Sequence, residues 1–292
     1  MSDIHPMKLI SPYDVQRPEG DFPFDFYGAR VLAQGDSWFS LGALPPTSTT
    51  NLLTEIRLSR QVACVNCARP GKVLSHMTST STEAMFLLML KDWPWDIILL
   101  SGFGNDAIDA LSVAPAAPAG LRLLATPAER GVVNGPDDYF SPTGWQTFVD
   151  HMGEVFENFL QRRDETNAQA PLVLHNYHTL TPRFAGAGAG FGPWIAPALQ
   201  AFNVPLSDWQ PVADTLMKRV DALLRAQITK GRLAHPLGKI LLVDTQAVPM
   251  DLSDPASTGV SGDFANEIHP TRSGYKKLAP AFGPVLEPLL PP

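Results

Sequence analysis

Short uncharged apolar runs alternate along this chain with longer amphipathic segments. The runs at 31–34, 61–65, 97–101, 172–176 and 240–243 are rich in Val, Ile and Leu. Apolar residues at nearly every position, rather than at every second one, predict strands covered on both faces, which is the condition of a parallel sheet. Between them lie segments 52–58, 81–90, 145–162 and 212–228. In the last two, Phe148, Met152, Val155, Phe156 and Phe159, and then Leu216, Val220, Leu223 and Leu224, recur at three- and four-residue spacing, the stripe of a helix with one buried face. The alternation predicts an α/β fold, a three-layer α/β/α sandwich with a mostly parallel sheet of about five strands. Stretches 107–143 and 184–205 break the rhythm with Ala, Pro and Gly, and each follows the carboxyl end of a proposed strand. Ligands of open α/β sheets bind at that edge, so these insertions are expected to form pocket walls or a lid.

Composition narrows the function. A chain of 292 residues with 45% apolar and 17% charged residues is no charge-rich disordered polymer, and one domain over 1–292 is expected. The 22 basic residues against 29 acidic ones include no dense Lys or Arg run, so nucleic acid is excluded as an expected partner. The first twenty residues show neither a basic region nor the apolar core of a secretory signal, from which a cytoplasmic location is expected. The uncharged stretch 184–207 is too rich in Gly and Pro for a membrane helix, so no membrane segment is expected. Cys64 and Cys67 have CxxC spacing without a second pair and read as inert, partly buried thiols. His175 and His178 are three apart in an extended segment, hence on opposite faces, and fit a pocket lining better than a metal. Neither a GxGxxG fingerprint nor a P-loop is present, the missing GxSxG elbow takes away the main motif of an α/β-hydrolase, and the serine chemistry considered below calls for no metal or organic cofactor.

Candidate chemistry sits where strands are expected to end. Gly35-Asp36-Ser37 closes the first of them, and a hydroxyl at a parallel strand's carboxyl edge is exposed to a substrate. The next two are followed by Asn66-Cys67-Ala68-Arg69-Pro70-Gly71-Lys72 and by Ser101-Gly102-Phe103-Gly104-Asn105-Asp106. The backbone N–H of Gly71 and the amide of Asn105 are of the kind that stabilises an oxyanion. Near the carboxyl terminus, His269 in Asn266-Glu267-Ile268-His269-Pro270-Thr271 is the candidate base for Ser37.

In these blocks the sequence resembles the SGNH, or GDSL-type, serine hydrolase family, whose four blocks carry Ser, Gly, Asn and His in this order on a flavodoxin-like sandwich. GDSWFS resembles the first, NCARPGK the second, SGFGND the third and NEIHPTRSGY the last, over positions 31–275. The resemblance implies a carboxylic ester hydrolase, acting on small-molecule esters, thioesters or O-acetyl groups through an acyl-serine. Ser37 would be nucleophile and backbone oxyanion donor, Gly71 and Asn105 the other oxyanion donors, and His269 the base, while Asp36 would organise the turn. Two positions depart from the pattern. Phe103 stands where the family usually has Gly, two residues before the Asn, and would narrow the crevice. Asn266 stands where it usually has the Asp that orients the imidazole, so either Asn266 serves as orienting residue or a carboxylate from Glu267 or Asp263 replaces it. Trp38, Phe39, Phe103, Tyr177, Phe191 and Trp194 are candidates to line the substrate pocket. Activity is expected to rise with pH through an imidazole pKa of about 6–7. The rival reading is a catalytically weak or inactive binding or scaffold protein on the same fold. A flavodoxin-like nucleotide or flavin binder is a third, disfavoured by the missing phosphate loop.

Overall fold

The computed structural model describes residues 4–16, 22–40, 50–188 and 190–292. Residues 1–3 and 17–20 of the amino-terminal stretch and residue 189 of the glycine-rich insertion lie outside the described residues. The strands are β1 (His5–Pro6), β2 (Lys8–Ile10), β3 (Ala29–Gly35), β4 (Arg57–Leu58), β5 (Val62–Asn66), β6 (Ile97–Ser101), β7 (Leu172–His175) and β8 (Ile240–Val243). The α-helices are α1 (Pro12–Val15), α2 (Leu52–Glu55), α3 (Ala84–Asp92), α4 (Gly104–Leu111), α5 (Pro127–Arg130), α6 (Pro142–Asn167), α7 (Ile195–Ala201), α8 (Trp209–Ala234), α9 (Arg272–Leu278) and α10 (Gly283–Leu286).

Among the described residues the main sheet has six strands in the order β2-β5-β3-β6-β7-β8, every pair parallel. This is the doubly wound sandwich that the uncharged strand runs predicted. Helices α1, α3, α6 and α8 pack successively on one another along the sheet, and α2, α9 and α10 form the other group. The five strand runs read from the sequence all fall on sheet strands. The sixth, β2, was missed because it is three residues long, begins with Lys8, and pairs on one side only, with β5. Segment 52–58 is also shorter as a helix than expected: α2 stops at Glu55, and Arg57–Leu58 pairs antiparallel with His5–Pro6.

After β5 the chain returns across β3 to build β6 on its other side, so the winding reverses between β3 and β6. Loops leaving two such neighbours diverge to opposite faces and open a crevice between them. Gly35, the last residue of β3, stands opposite Ser101, the last of β6. A Cβ on Gly35 would lie 2.6 Å from Ser101 Cβ and 2.9 Å from its carbonyl oxygen. The glycine therefore lets the two strand ends close at the crevice floor. Gly35→Ala is expected to cost about 1–3 kcal/mol by forcing these backbones apart. Urea unfolding checks this, and an unchanged midpoint would refute the close approach.

Candidate active site

Ser37 follows β3 in a tight turn that Asp36 builds. Asp36 Oδ1 accepts from Trp38 N at 2.9 Å, and the Asp36 carbonyl accepts from Phe39 N and Ser40 N. Asn66 and Asn51 donate side-chain bonds to the carbonyls of Phe39 and Ser40, which anchors the turn from outside. The loop carrying His269 is closed by Ala265 N donating to the His269 carbonyl at 2.8 Å and by bridges from Phe264 to Ser261 and Pro270. Folding brings the two ends of the chain together. Ser37 Oγ lies 2.7 Å from His269 Nε2, across 232 positions of sequence.

Asn266, rather than Glu267 or Asp263, faces the far side of the imidazole. Its Oδ1 is 2.9 Å from His269 Nδ1 and also accepts the backbone N–H groups of Ile268 and His269. Those two backbone donors settle which end of the amide faces the ring. An oxygen there requires hydrogen on Nδ1 and leaves the lone pair of Nε2 toward Ser37, the tautomer a general base needs. Asn266 Nδ2 is buried and finds no hydrogen-bond partner among the described residues. Glu267 points the other way, accepting the backbone N–H groups of Arg183, Trp194, Ile195 and Ala196, and so ties the 184–205 insertion to the His269 loop. Burial pushes the Glu267 carboxyl up, against those four donors. Asp263 is occupied by Lys277 at 2.6 Å and by Asp251 N.

Burial also pulls the His269 pKa down to about 4, below the ordinary imidazole range. This corrects the sequence expectation of about 6–7. Water is excluded from the ring, and the residue at position 266 offers an amide dipole in place of a negative charge. Trp194 packs edge-on against the same ring, with centroids 5.3 Å apart.

Asn105, in the first turn of α4, donates its Nδ2 to the carbonyl of Lys72 at 3.1 Å. The bond joins the third block to the second, beside Gly71, which takes a left-handed φ of 72°. Behind this loop Lys72 forms a buried ion pair with Glu83, which also accepts from Gln34 Nε2. Burial, with Arg69 adding to it, lowers the Lys72 pKa to about 8. Asp106 accepts Leu74 N with both oxygens, a second tie to the same loop.

The aromatic candidates separate. Trp38 and Tyr177 line a cavity beside Ser37 and Asn105, and Trp194 lines a neighbouring cleft. Phe103 does not line the cavity: it is fully buried, with its ring 5.7 Å from Phe156 of α6. That corrects its expected pocket role. Its φ is 79°, in the left-handed region that glycine adopts freely and a bulky side chain rarely takes. Phe39 is core beside His175, and Phe191 is half exposed and lines neither space.

Sequence reasoning missed two parts of the site. One is a buried polar network under the Ser37 turn: Asp36 bonds Ser101 Oγ at 2.8 Å and the Tyr177 hydroxyl, and Ser101 Oγ lies 2.9 Å from His175 Nε2. Burial raises the Asp36 pKa to about 6 and lowers that of His175 to about 4. His178 engages the carbonyls of Thr179 and Val248, so both ring nitrogens of each HxxH histidine already face protein atoms. The other is Arg183, fully buried, which donates to the carbonyls of Asn266 at 2.7 Å and Ser257 at 3.1 Å. Its only sequence signal was a charge bordering the long uncharged stretch. Cys64 and Cys67 are free and buried; burial raises both thiols, Cys67 to about 12, which keeps them protonated at neutral pH.

At the switch point of a doubly wound sheet Ser37 meets a correctly tautomerised His269, and Asn105 lines the same cavity as Ser37. Solved structures share this fold. A lipase, Lip_vut3, from a goat rumen metagenome superposes with TM-score 0.51 and 14% identity, over 87% of this chain and 95% of that one. A possible lipase from Chitinophaga pinensis DSM 2588 gives TM-score 0.51 and 14% identity, over 89% and 98%. No family model and no curated protein matches the sequence. Among the described residues, no helix is long and apolar enough to cross a membrane.

Proposed function

We propose that the protein is a serine hydrolase of carboxylic esters that works through an acyl-serine intermediate. The observation that carries this reading is the 2.7 Å approach of Ser37 Oγ to His269 Nε2, with Asn266 holding the opposite nitrogen. Ser37 Oγ attacks the ester carbonyl as its proton passes to His269 Nε2, and the former carbonyl oxygen becomes an oxyanion. The N–H groups of Ser37 and Gly71 and the second Nδ2 hydrogen of Asn105 receive that charge. As the carbon–oxygen bond to the alcohol breaks, the imidazolium returns its proton to the leaving oxygen. Water then attacks the acyl-serine, giving its proton to His269, and as this second tetrahedral adduct collapses the imidazolium returns that proton to Ser37 Oγ, which frees the carboxylic acid and restores Ser37 and neutral His269. The reading needs no cofactor. Two neighbours of the same fold carry the name lipase, in keeping with ester chemistry.

The Asn266 departure does not by itself argue for an inactive scaffold, because its amide oxygen sets the same tautomer as a carboxylate. A fluorophosphonate probe tests the proposal directly. Native protein is expected to become phosphonylated on Ser37, identified by peptide mass, while Ser37→Ala takes up no label. A native protein that resists the probe would favour the scaffold reading instead.

A further inference from the structure

The loop that carries His269 is gripped by the insertion that follows β7. Arg183 Nη2 donates to the Asn266 carbonyl at 2.7 Å, and Glu267 N donates to the Ala185 carbonyl at 2.9 Å. The Glu267 carboxylate is 1% exposed. It accepts Arg183 N at 3.1 Å and, at the start of α7, the N–H groups of Trp194, Ile195 and Ala196. Burying a carboxylate is costly unless its oxygens find donors, and here the donors are backbone groups of the insertion. The anchor therefore fixes main chain, and with it the direction in which Trp194 leaves that chain.

The Trp194 ring stands edge-on to the imidazole of His269, with centroids 5.3 Å apart. Trp194 also lines an open cleft of about 320 Å³, to whose wall His269, 2% exposed, contributes nothing. One side chain thus touches both the imidazole and the cleft. We infer that Glu267 and Trp194 are positioning residues for the proposed reaction: Glu267 holds the insertion on the His269 loop, and Trp194 stands between the imidazole and the cleft and keeps water off the ring. The inference rests on the ester-hydrolase reading above.

The charged groups of the surrounding elements are engaged elsewhere. On the same loop Glu267 turns to α7 and Asp263 binds Lys277, while Arg183 spends its guanidinium on the carbonyls of Asn266 and Ser257. In the serine turn Asp36 is held by Trp38 N, Ser101 and Tyr177, and in the second block Lys72 pairs with Glu83. Ser37 and Asn266, which face the two ring nitrogens, are neutral. Asp109 is the carboxylate in the cleft wall. Its charged form favours a charged ring, the same direction as entering water.

The test follows the His269 ring by NMR, its signal assigned by loss in His269→Ala, together with the pH profile of kcat/KM for 4-nitrophenyl acetate. Burial holds the native ring at a pKa of about 4. Trp194→Ala lets water reach the charged form and should raise the titration midpoint by about one pH unit or more. The neutral ring is the base, so the acid limb should rise with it, and the rate at pH 5 should fall about 2- to 10-fold below that at pH 8. Trp194→Phe keeps an aromatic edge and should stay nearer native. Glu267→Gln offers the four N–H groups one oxygen in place of two and should move the midpoint in the same direction. Combined with Trp194→Ala it should move it no further than Trp194→Ala alone, because Glu267 acts through Trp194. Circular dichroism checks folding, and the two Trp194 variants decide the matter if Glu267→Gln does not fold. A native midpoint in folded Trp194→Ala, a Trp194→Phe shifted just as far, or a double variant shifted well beyond Trp194→Ala would overturn the assignment. Native protein that takes no fluorophosphonate label and turns over no ester refutes the hydrolase reading, while the ring titration still decides whether Trp194 keeps water from His269.

Discussion

Replacing His269 by Ala is expected to slow hydrolysis of 4-nitrophenyl acetate by about 10⁴-fold or more, with KM changed little. Ser37 is 3% exposed, and its Oγ lies 2.7 Å from His269 Nε2. Its hydroxyl is a poor nucleophile unless the proton leaves as the new bond forms, and no other described group hydrogen-bonds to its Oγ. The two residues act on one proton, so their losses should not add. A Ser37→Ala/His269→Ala double variant is expected to be no slower than the slower single variant. Steady-state kinetics on the three purified proteins, with circular dichroism to show that each is folded, checks both statements. A His269→Ala protein retaining a tenth of native activity would remove the imidazole from the reaction.

Asn266→Asp is expected to reshape the pH profile. In the native protein burial holds the His269 pKa at about 4, so the neutral, base-competent ring persists through pH 5. The acid limb of kcat/KM then falls below the range usually assayed, and the rate should be nearly level from pH 5 upward until another group titrates. A carboxylate against Nδ1 favours the charged ring and raises its pKa. Because protonation removes the base, the limb of Asn266→Asp moves to higher pH, toward about 6–7. At pH 5 the variant should then drop by about 10- to 90-fold relative to its own rate at pH 8. At pH 8 it should equal or exceed native protein, since the carboxylate also stabilises the imidazolium formed as Ser37 attacks. A variant with a level profile down to pH 5, or one that loses most of its pH 8 rate while remaining folded, would show that position 266 does not act through the imidazole.

Legibility followed the range of the interactions involved. Strands β5, β6, β7 and β8 could be located within a residue or so, because burial on both faces leaves a continuous apolar run. Helices α6 and α8 were found from their stripes but proved longer at both ends, where Pro142 and Trp209 start them outside the apolar period. Ser37, Asn105 and His269 became candidates only together, through the order of the four blocks, since each alone is an ordinary turn or surface residue. Asn266 and Glu267 could not be ranked from sequence. Both are polar, adjacent and near the His, and which of them faces the ring depends on Arg183, Trp194, Ile195 and Ala196, which give Glu267 its four donors. Phe103 was misassigned for a similar reason: a left-handed backbone turns its ring toward Phe156, and no neighbouring residue announces that turn.

The order of apolar runs and stripes by itself determined a parallel α/β sheet, and with it the edge at which Ser37, Gly71, Asn105 and His269 emerge. Such patterning is a local property, since each residue's polarity says only whether it prefers water. Tertiary structure alone decided which polar groups meet and how far burial shifts the imidazole. Those depend on distances between residues up to 232 positions apart, set by close packing that no single segment encodes.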